Sequence, residues 1–295
     1  CRLNKPIRIK NFIFMISILI IIFIKVTKTT PIMKRKCLIL ILLIFVSCND
    51  LNPSRAEEMD VSNSITIGES IASKFDFMPT STTNAVVKRE GYSFSYAEDF
   101  EQSEWVAYSL QSSDFKYANY ERPFFEQDLL VETNSADWRN YKNSGYDKGH
   151  LCPAGDRKAS FSSYKETFFT SNISPQRHDF NSGVWNRLEE KTRYWAEKYN
   201  GIYVITGGIL SDNLKTIGKE EVAVPNYFYK VLLTQDCKRM IGFLVPHKNS
   251  NKPLYEFVIS VDAIEKMTGI DFFPNLSDSN ESVLEKNAEY KNWSF

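Results

Sequence analysis

Tyr146-Asp147-Lys148-Gly149-His150-Leu151-Cys152-Pro153, and after it Ser171-Asn172-Ile173-Ser174-Pro175-Gln176-Arg177-His178-Asp179-Phe180-Asn181-Ser182-Gly183-Val184-Trp185-Asn186-Arg187-Leu188-Glu189, are the two stretches on which this chain turns. The first sets a histidine beside a cation and a backbone-permissive glycine. The second carries an amide and a carboxylate onto the start of a helix. From Val184 to Tyr199 the apolar residues Val184, Trp185, Leu188, Trp195 and Ala196 recur at helical spacing. Outward from these stretches, alternating or β-branched runs predict strands at Ala85 to Arg89, Tyr92 to Tyr96, Trp105 to Leu110, Tyr203 to Thr206, Tyr227 to Thr234 and Met240 to Val245. Turn signals separate them, such as Glu90-Gly91 and Gln235-Asp236-Cys237-Lys238. A second helix is predicted from Val261 to Thr268, with Ser260 as its N-cap. The expected class is α+β: a mixed β-sheet core with packed helices, in one domain, spanning residues 77–275, with a polar C-terminal tail over 276–295.

A chain of 295 residues with 43% hydrophobic and 14% aromatic content can bury a sizeable core, so disorder is not the default. Its formal charge of zero hides an asymmetry. Residues 1–48 hold nine Lys and Arg and no Asp or Glu, leaving 27 basic against 36 acidic residues beyond them. That balance argues against a protein that coats nucleic acid through many phosphate contacts. Positive charge is instead local: residues 138–198 hold eleven basic and seven acidic side chains, whereas 49–137 hold six and 17.

The N-terminal region reads as targeting rather than fold. Met33-Lys34-Arg35-Lys36, an apolar run from Cys37 to Val46, and Ser47-Cys48 follow the plan of a bacterial lipoprotein signal over 33–48, with Cys48 as the lipidated residue. Phe45 is bulkier than the usual aliphatic residue at its place. Phe12 to Ile24 is a second apolar run, too short for a comfortable membrane span. Because the chain opens on Cys1, residues 1–32 are expected to be an upstream extension and Met33 the natural start. Residues 49–76 read as a polar tether. The expected location is the bacterial cell envelope, lipid-anchored at the periplasmic face or the cell surface, or secreted. Cys152 and Cys237 remain outside the targeting region, either as a disulfide or as buried free thiols. Three histidines are too few for a multi-histidine metal cage.

Hydrolysis of a phosphodiester needs a base to activate water, cationic charge on the phosphoryl oxygens, and stabilisation of the leaving oxygen. The two stretches contain all three. His150 titrates nearest neutrality and is the natural base. Gly149 lets the chain approach a substrate, and Lys148 offers a phosphate contact. Asn181 supplies a neutral oxygen for a hard cation such as Mg²⁺, which keeps most of its waters, and Glu189 can hold those waters. On the helix Trp185 would pack beneath the site, while Arg193 would pair with Glu189 and face the phosphate. The helix start near Ser182 adds partial positive charge. The bland readings are that Asn181 caps a helix, that Glu189 and Arg193 form an ordinary surface pair, and that His178 and His247 are structural or surface residues.

These motifs resemble the DNA/RNA non-specific endonuclease family, with its ββα-metal, or His-Me finger, core. The family's Asp-Arg-Gly-His is matched by Asp147-Lys148-Gly149-His150, and its Asn-x-x-Pro-Gln and Asn-x-Gly-x-Trp-x-x-x-Glu motifs run from Asn172 to Glu189. The resemblance extends from about Thr80 to Pro274 and includes Trp105-Val106-Ala107-Tyr108 and Val204-Ile205-Thr206-Gly207-Gly208. It implies His150 as general base, Asn181 as metal ligand, Glu189 on the metal's waters, Asn172 in the site's hydrogen-bond network, Arg193 on the transition-state phosphate, and Arg122 as a further arginine. It also implies Mg²⁺, or Mn²⁺ in its place, and cleavage of DNA and RNA to 5′-phosphate ends. Lys148 departs from the family's Arg, keeping the charge but losing the two-pronged contact. The alternative is a catalytically weak or inactive nucleic-acid-binding envelope protein on the same fold.

Overall fold

Side chains alternate along the strand Tyr227–Thr234: Phe228, Lys230 and Leu232 face one side, Tyr229, Val231 and Leu233 the other. All but Tyr227 are buried, so this strand lies inside a sheet covered on both faces. The computed structural model describes residues 75–116 and 119–295. The upstream extension, the signal segment with Cys48 and nearly all of the tether fall outside the described residues.

Eleven strands are described: β1 (Val86–Lys88), β2 (Ser93–Ala97), β3 (Gln102–Leu110), β4 (Asp147–His150), β5 (Ile173–Gln176), β6 (Ile202–Gly208), β7 (Thr216–Ile217), β8 (Val222–Ala223), β9 (Tyr227–Thr234), β10 (Met240–Pro246) and β11 (Val258–Ile259). Seven form the main sheet in the order β1-β2-β3-β6-β9-β10-β11, and β4-β5 and β7-β8 are separate pairs. The α+β class holds, but the sheet pairs antiparallel throughout. The helices are α1 (Ser112–Phe115), α2 (Phe161–Glu166), α3 (His178–Phe180), α4 (Asn186–Lys198), α5 (Val261–Thr268) and α6 (Asp278–Glu285).

One sheet face, with Phe94, Val106, Val204, Phe228, Leu232 and Phe243, packs against Leu188 and Trp195 of α4. The opposite face, with Trp105, Ile205, Tyr229 and Val231, packs against Val261 and Ile264 of α5 and the following Ile270 and Phe272. Val184, Trp185, Leu188, Trp195 and Ala196 are all buried, as helical spacing requires. Regular helix nevertheless begins only at Asn186. Asn181–Trp185 is a wide π-type turn broken at Gly183, whose φ of −101° and ψ of −109° leave the helical region. Ser260 does occupy the N-cap of α5, without a side-chain capping bond.

Residues 276–295, read from sequence as a polar tail, instead form α6 and a packed C-terminus. Trp293 and Phe295 stack edge-on against Trp195 of α4, with ring centroids 5.0 and 5.1 Å away, and Trp195 Nε1 donates to the Ser294 carbonyl at 3.0 Å. Trp293 and Phe295, two residues apart near the end of the sequence, anchor this segment, and no extended periodic pattern advertises it. No described helix is long and apolar enough to cross a membrane.

Candidate active site

Strands β4 and β5 pair antiparallel, Asp147 opposite Gln176, Gly149 opposite Ser174 and His150 opposite Ile173. The chain then turns through α3 and the π-type turn into α4, giving a ββα unit. Gly149 is required for an internal reason: a Cβ there would fall 2.2 Å from Cδ of the buried Gln176. The space that sequence assigned to a substrate is therefore filled by Gln176, and glycine is what admits it.

Asn172 is wholly buried. Its Oδ1 accepts from the Cys152 amide at 2.8 Å, and its Nδ2 donates to the carbonyls of Cys152 and Thr167, both at 2.9 Å. These bonds occupy the amide in clamping the loop after His150, so Asn172 is a positioning residue rather than a group that meets substrate. Asn172→Ala should act first on stability, by roughly 1–3 kcal/mol for each backbone group left buried and unpaired. Thermal unfolding of the variant checks this, and an unchanged melting temperature would count against the clamp.

Two carboxylates tie β4 and its loop to the helical half of the site. Asp147 Oδ2 accepts from Asn181 Nδ2 at 3.0 Å and lies 2.9 Å from Nδ1 of the exposed His178. Asp156, fully buried in the loop after β4, takes Arg193 Nη1 on Oδ1 at 2.7 Å and the Tyr108 hydroxyl on Oδ2 at 3.0 Å. Arg193 thus pairs with Asp156, not with Glu189. The i, i+4 spacing allowed the helical pair, but a buried aspartate with two hydrogen bonds in place is the stronger partner. His150 lies in the chain between these two ties.

His150 packs against Phe125 and Phe168, with ring centroids 5.7 and 5.2 Å away. Its Nε2 is covered and has no hydrogen-bond partner. Burial, aided by the positive charge of Arg122, lowers its pKa to about 4, so the ring is neutral at physiological pH and able to accept a proton, though as a weaker base than a free imidazole. Arg122 stands over the same two rings at 5.6 Å. Lys148 Nζ sits 5.4 Å from Phe125, 5.9 Å from Trp138 and 5.7 Å from Tyr141. Burial and Arg122 hold its pKa below the ordinary lysine value. The structure therefore gathers the neutral His150 and the cations Lys148 and Arg122 around Phe125.

Beneath the site lies Lys230, fully buried on the α4-facing side of β9. Its Nζ donates to Thr206 Oγ1 at 2.7 Å and stands 4.9 Å from the ring centre of the buried Trp185. Burial lifts the Glu189 carboxyl well above the usual carboxylate range, with Lys230 and Arg193 opposing the shift and Asp156 adding to it. Sequence reading missed both Lys230 and Asp156. Their signals were a lone lysine within an apolar strand and an aspartate soon after the histidine motif, neither of which reveals its partner.

The donor set fits a hard divalent cation. Asp147 can only accept, so it fixes the Asn181 amide with its nitrogen inward and leaves Oδ1 available as a ligand. Among the described residues, the Glu189 carboxylate has no hydrogen-bond partner, and its environment favours either a proton or a cation. Cys152 and Cys237 are free thiols, not a disulfide, and burial pushes Cys152 up to about 12, which leaves it inert. His247 accepts from the Arg177 amide at 2.7 Å and has its other ring nitrogen 2.8 Å from the Pro225 carbonyl, both bonds internal to the fold.

Comparison with known proteins agrees with this geometry. The profile of the DNA/RNA non-specific endonuclease family matches residues 75–279. The mitochondrial nuclease EXOG of Danio rerio is 37% identical over 209 residues, covering 64% of this chain and 61% of that protein. Its Mus musculus counterpart is 37% identical over 160 residues, 48% of this chain and 44% of the relative, so the chain spans only part of these relatives' length. Nuclease C1 of Cunninghamella echinulata var. echinulata is 31% identical over 220 residues, covering 67% of this chain and 86% of that one. A crystal structure of the EndoG/EndoGI complex, described as showing the mechanism of EndoG inhibition, superposes with a TM-score of 0.62 at 28% identity, covering 66% of this chain and 88% of that chain. The matched span holds the whole ββα unit and the sheet behind it, and this chain belongs to the DNA/RNA non-specific endonuclease family.

Proposed function

We propose that this chain is a metal-dependent endonuclease that hydrolyses DNA and RNA with little sequence preference. The observation that carries the reading is a neutral imidazole with a covered, unpartnered Nε2, on a strand tied by Asp147 to Asn181 and continuing into a loop tied by Asp156 to Arg193. In this reading a ring nitrogen of His150 takes a proton from water as the water oxygen attacks phosphorus. The bond from phosphorus to the 3′ oxygen breaks and that oxygen takes a proton from a second water, leaving a 5′-phosphate and a 3′-hydroxyl. Lys148 and Arg122 bind phosphate oxygens, and Arg193, held by Asp156, faces the charge that builds on the five-coordinate phosphorus. Asn181 Oδ1 would hold one Mg²⁺, or Mn²⁺, with Glu189 on its waters, and the cation would stabilise charge on the leaving oxygen.

Plasmid DNA and RNA should both be degraded in Mg²⁺ and spared when a chelator is added. Binding without metal-dependent degradation would leave only the non-catalytic alternative. Export belongs to the same proposal, resting on the Met33 to Cys48 segment: mass spectrometry of the mature protein should find a lipid-modified Cys48 as the first residue.

The pH dependence follows from the lowered pKa of His150. A base works only while unprotonated, so the acid limb of the rate profile should lie well below the ordinary histidine range and fall away as pH drops toward about 4. Arg122→Ala removes a neighbouring positive charge that opposes protonation, so the limb should move to higher pH. A profile of kcat against pH for the two proteins measures the direction, and an unshifted or acid-shifted limb contradicts it.

A further inference from the structure

On the sheet face away from His150, α5, α6 and the loop between them bring together five carboxylates that the nuclease reaction does not use. Oxygens of Asp262, Glu265 and Glu285 lie within 4.8 Å of one another, and so do oxygens of Asp271, Glu281 and Glu285. Glu285 is common to both groups. It is only 6% exposed, and its Oε1 is covered and lacks any hydrogen-bond partner. A buried, unpaired carboxylate costs far more than one left in water, so it demands either a proton or a cation.

Local charge makes the demand sharper. Among the described residues no salt bridge reaches any of the five acids. Lys286, next to Glu285, instead directs its Nζ to Ser282 Oγ at 3.4 Å. Burial first, then Glu265, Glu281, Asp262 and Asp271, push Glu285 up to about 8. Glu281 and Glu285 are also a like-charged i, i+4 pair, which disfavours α6 unless something neutralises it. Glu265 is already oriented, because its Oε1 accepts the Phe272 amide at 2.8 Å and its second oxygen remains free.

The geometry points to a second cation site here, built on Glu285 and the two triads that share it, Asp262 with Glu265 and Asp271 with Glu281, that takes Ca²⁺. Ligands on opposite sides of a calcium ion stand about 5 Å apart, twice a bond of ~2.3–2.6 Å, so the three oxygens of either triad, within 4.8 Å of one another, fit one coordination sphere, and Glu285 belongs to both triads. The donors are all hard oxygens, with no nitrogen or sulfur to favour a transition metal. Carboxylates from two helices and a loop suit the high, flexible coordination number of Ca²⁺ better than the strict octahedron of Mg²⁺. The ion clips α6 to α5. The segment that follows α6 ends in Trp293 and Phe295 against Trp195, on the helix bearing Glu189 and Arg193. The site is therefore structural, and it stands independently of the nuclease reading.

Calorimetric titration of CaCl₂ into the full chain carrying Asn181→Ala, which removes the proposed catalytic ligand, should show one equivalent bound and a melting temperature raised by several degrees. Adding Glu285→Gln should abolish both responses. Glu285→Gln alone should fold without Ca²⁺, since it removes the repulsion, and should degrade plasmid in Mg²⁺ within about twofold of the parent, the size of change expected when no transition-state contact is lost. Failure of Ca²⁺ to bind the Asn181→Ala chain overturns the proposal, as does equal binding with and without Glu285. If the Gln variant does not fold, Asp262→Asn combined with Asp271→Asn provides the same comparison. Loss of plasmid cleavage in every protein, with Ca²⁺ binding intact, would sink the nuclease reading and leave this site standing.

Discussion

His150→Ala should lower kcat by ~10²- to 10⁴-fold, the usual contribution of a positioned general base. The fold should survive, because the side chain makes no hydrogen bond among the described residues and removal of the ring strands no partner. The loss of ring contacts with Phe125 and Phe168 costs packing, so a modest fall in melting temperature is expected alongside. A structural histidine would show the reverse pattern, with stability lost and rate per folded molecule preserved. Measuring kcat on plasmid for the folded fraction distinguishes the two. A variant rate within a few-fold of the parent would falsify the assignment of His150 as base.

Asn181→Ala should weaken Mg²⁺ activation the most, and Asp147→Asn should reproduce part of that loss without touching the ligand itself. Asp147 only accepts hydrogen bonds, so the Asn181 amide has one orientation; an asparagine at 147 can donate or accept, and the Asn181 oxygen can then turn inward. Loss of such an orienting partner typically costs ~10–100-fold in metal affinity or activity. The readout is the Mg²⁺ concentration for half-maximal rate. Asp147→Asn should raise it, with a smaller change in the rate at saturating metal. An unaltered Mg²⁺ requirement would show that the Asp147 to Asn181 bond does nothing for the ligand.

Much of the fold was legible before any coordinates. Six predicted strands appear where alternating or β-branched runs placed them, because strands covered on both faces are built from apolar, β-branched and aromatic residues between turn signals. The buried face of α4 was equally plain. Its beginning was not: the chain leaves the helical region at Gly183 and forms a wide turn over Asn181–Trp185. The C-terminal segment escaped as well, since Trp293 and Phe295 matter only once Trp195 is beside them.

Within the site, residue types were legible and partners were not. His150, Asn181, Glu189 and Arg193 stood out through spacing and family resemblance. Sequence spacing joined Arg193 to Glu189, whereas the fold delivered Asp156 from a distant loop. Asn172 was expected in the site's hydrogen-bond network, but that its amide spans Cys152 and Thr167 while fully buried could be read only from the fold. Lys230 went unnoticed within an apolar strand, yet it pairs with Thr206 on the neighbouring strand and stands over Trp185.

By itself the sequence determined what recurs locally: strand and helix periods, the glycine at 149, and the kinds of side chain available for phosphodiester chemistry. These follow from backbone geometry over a few residues. Only the tertiary structure decided which charges meet, which amide is committed to holding a loop, and which carboxylate is left buried without a partner. Those outcomes depend on desolvation and on contacts between segments far apart in the chain, where a change in packing alters the energy of a charged group by more than any local preference does.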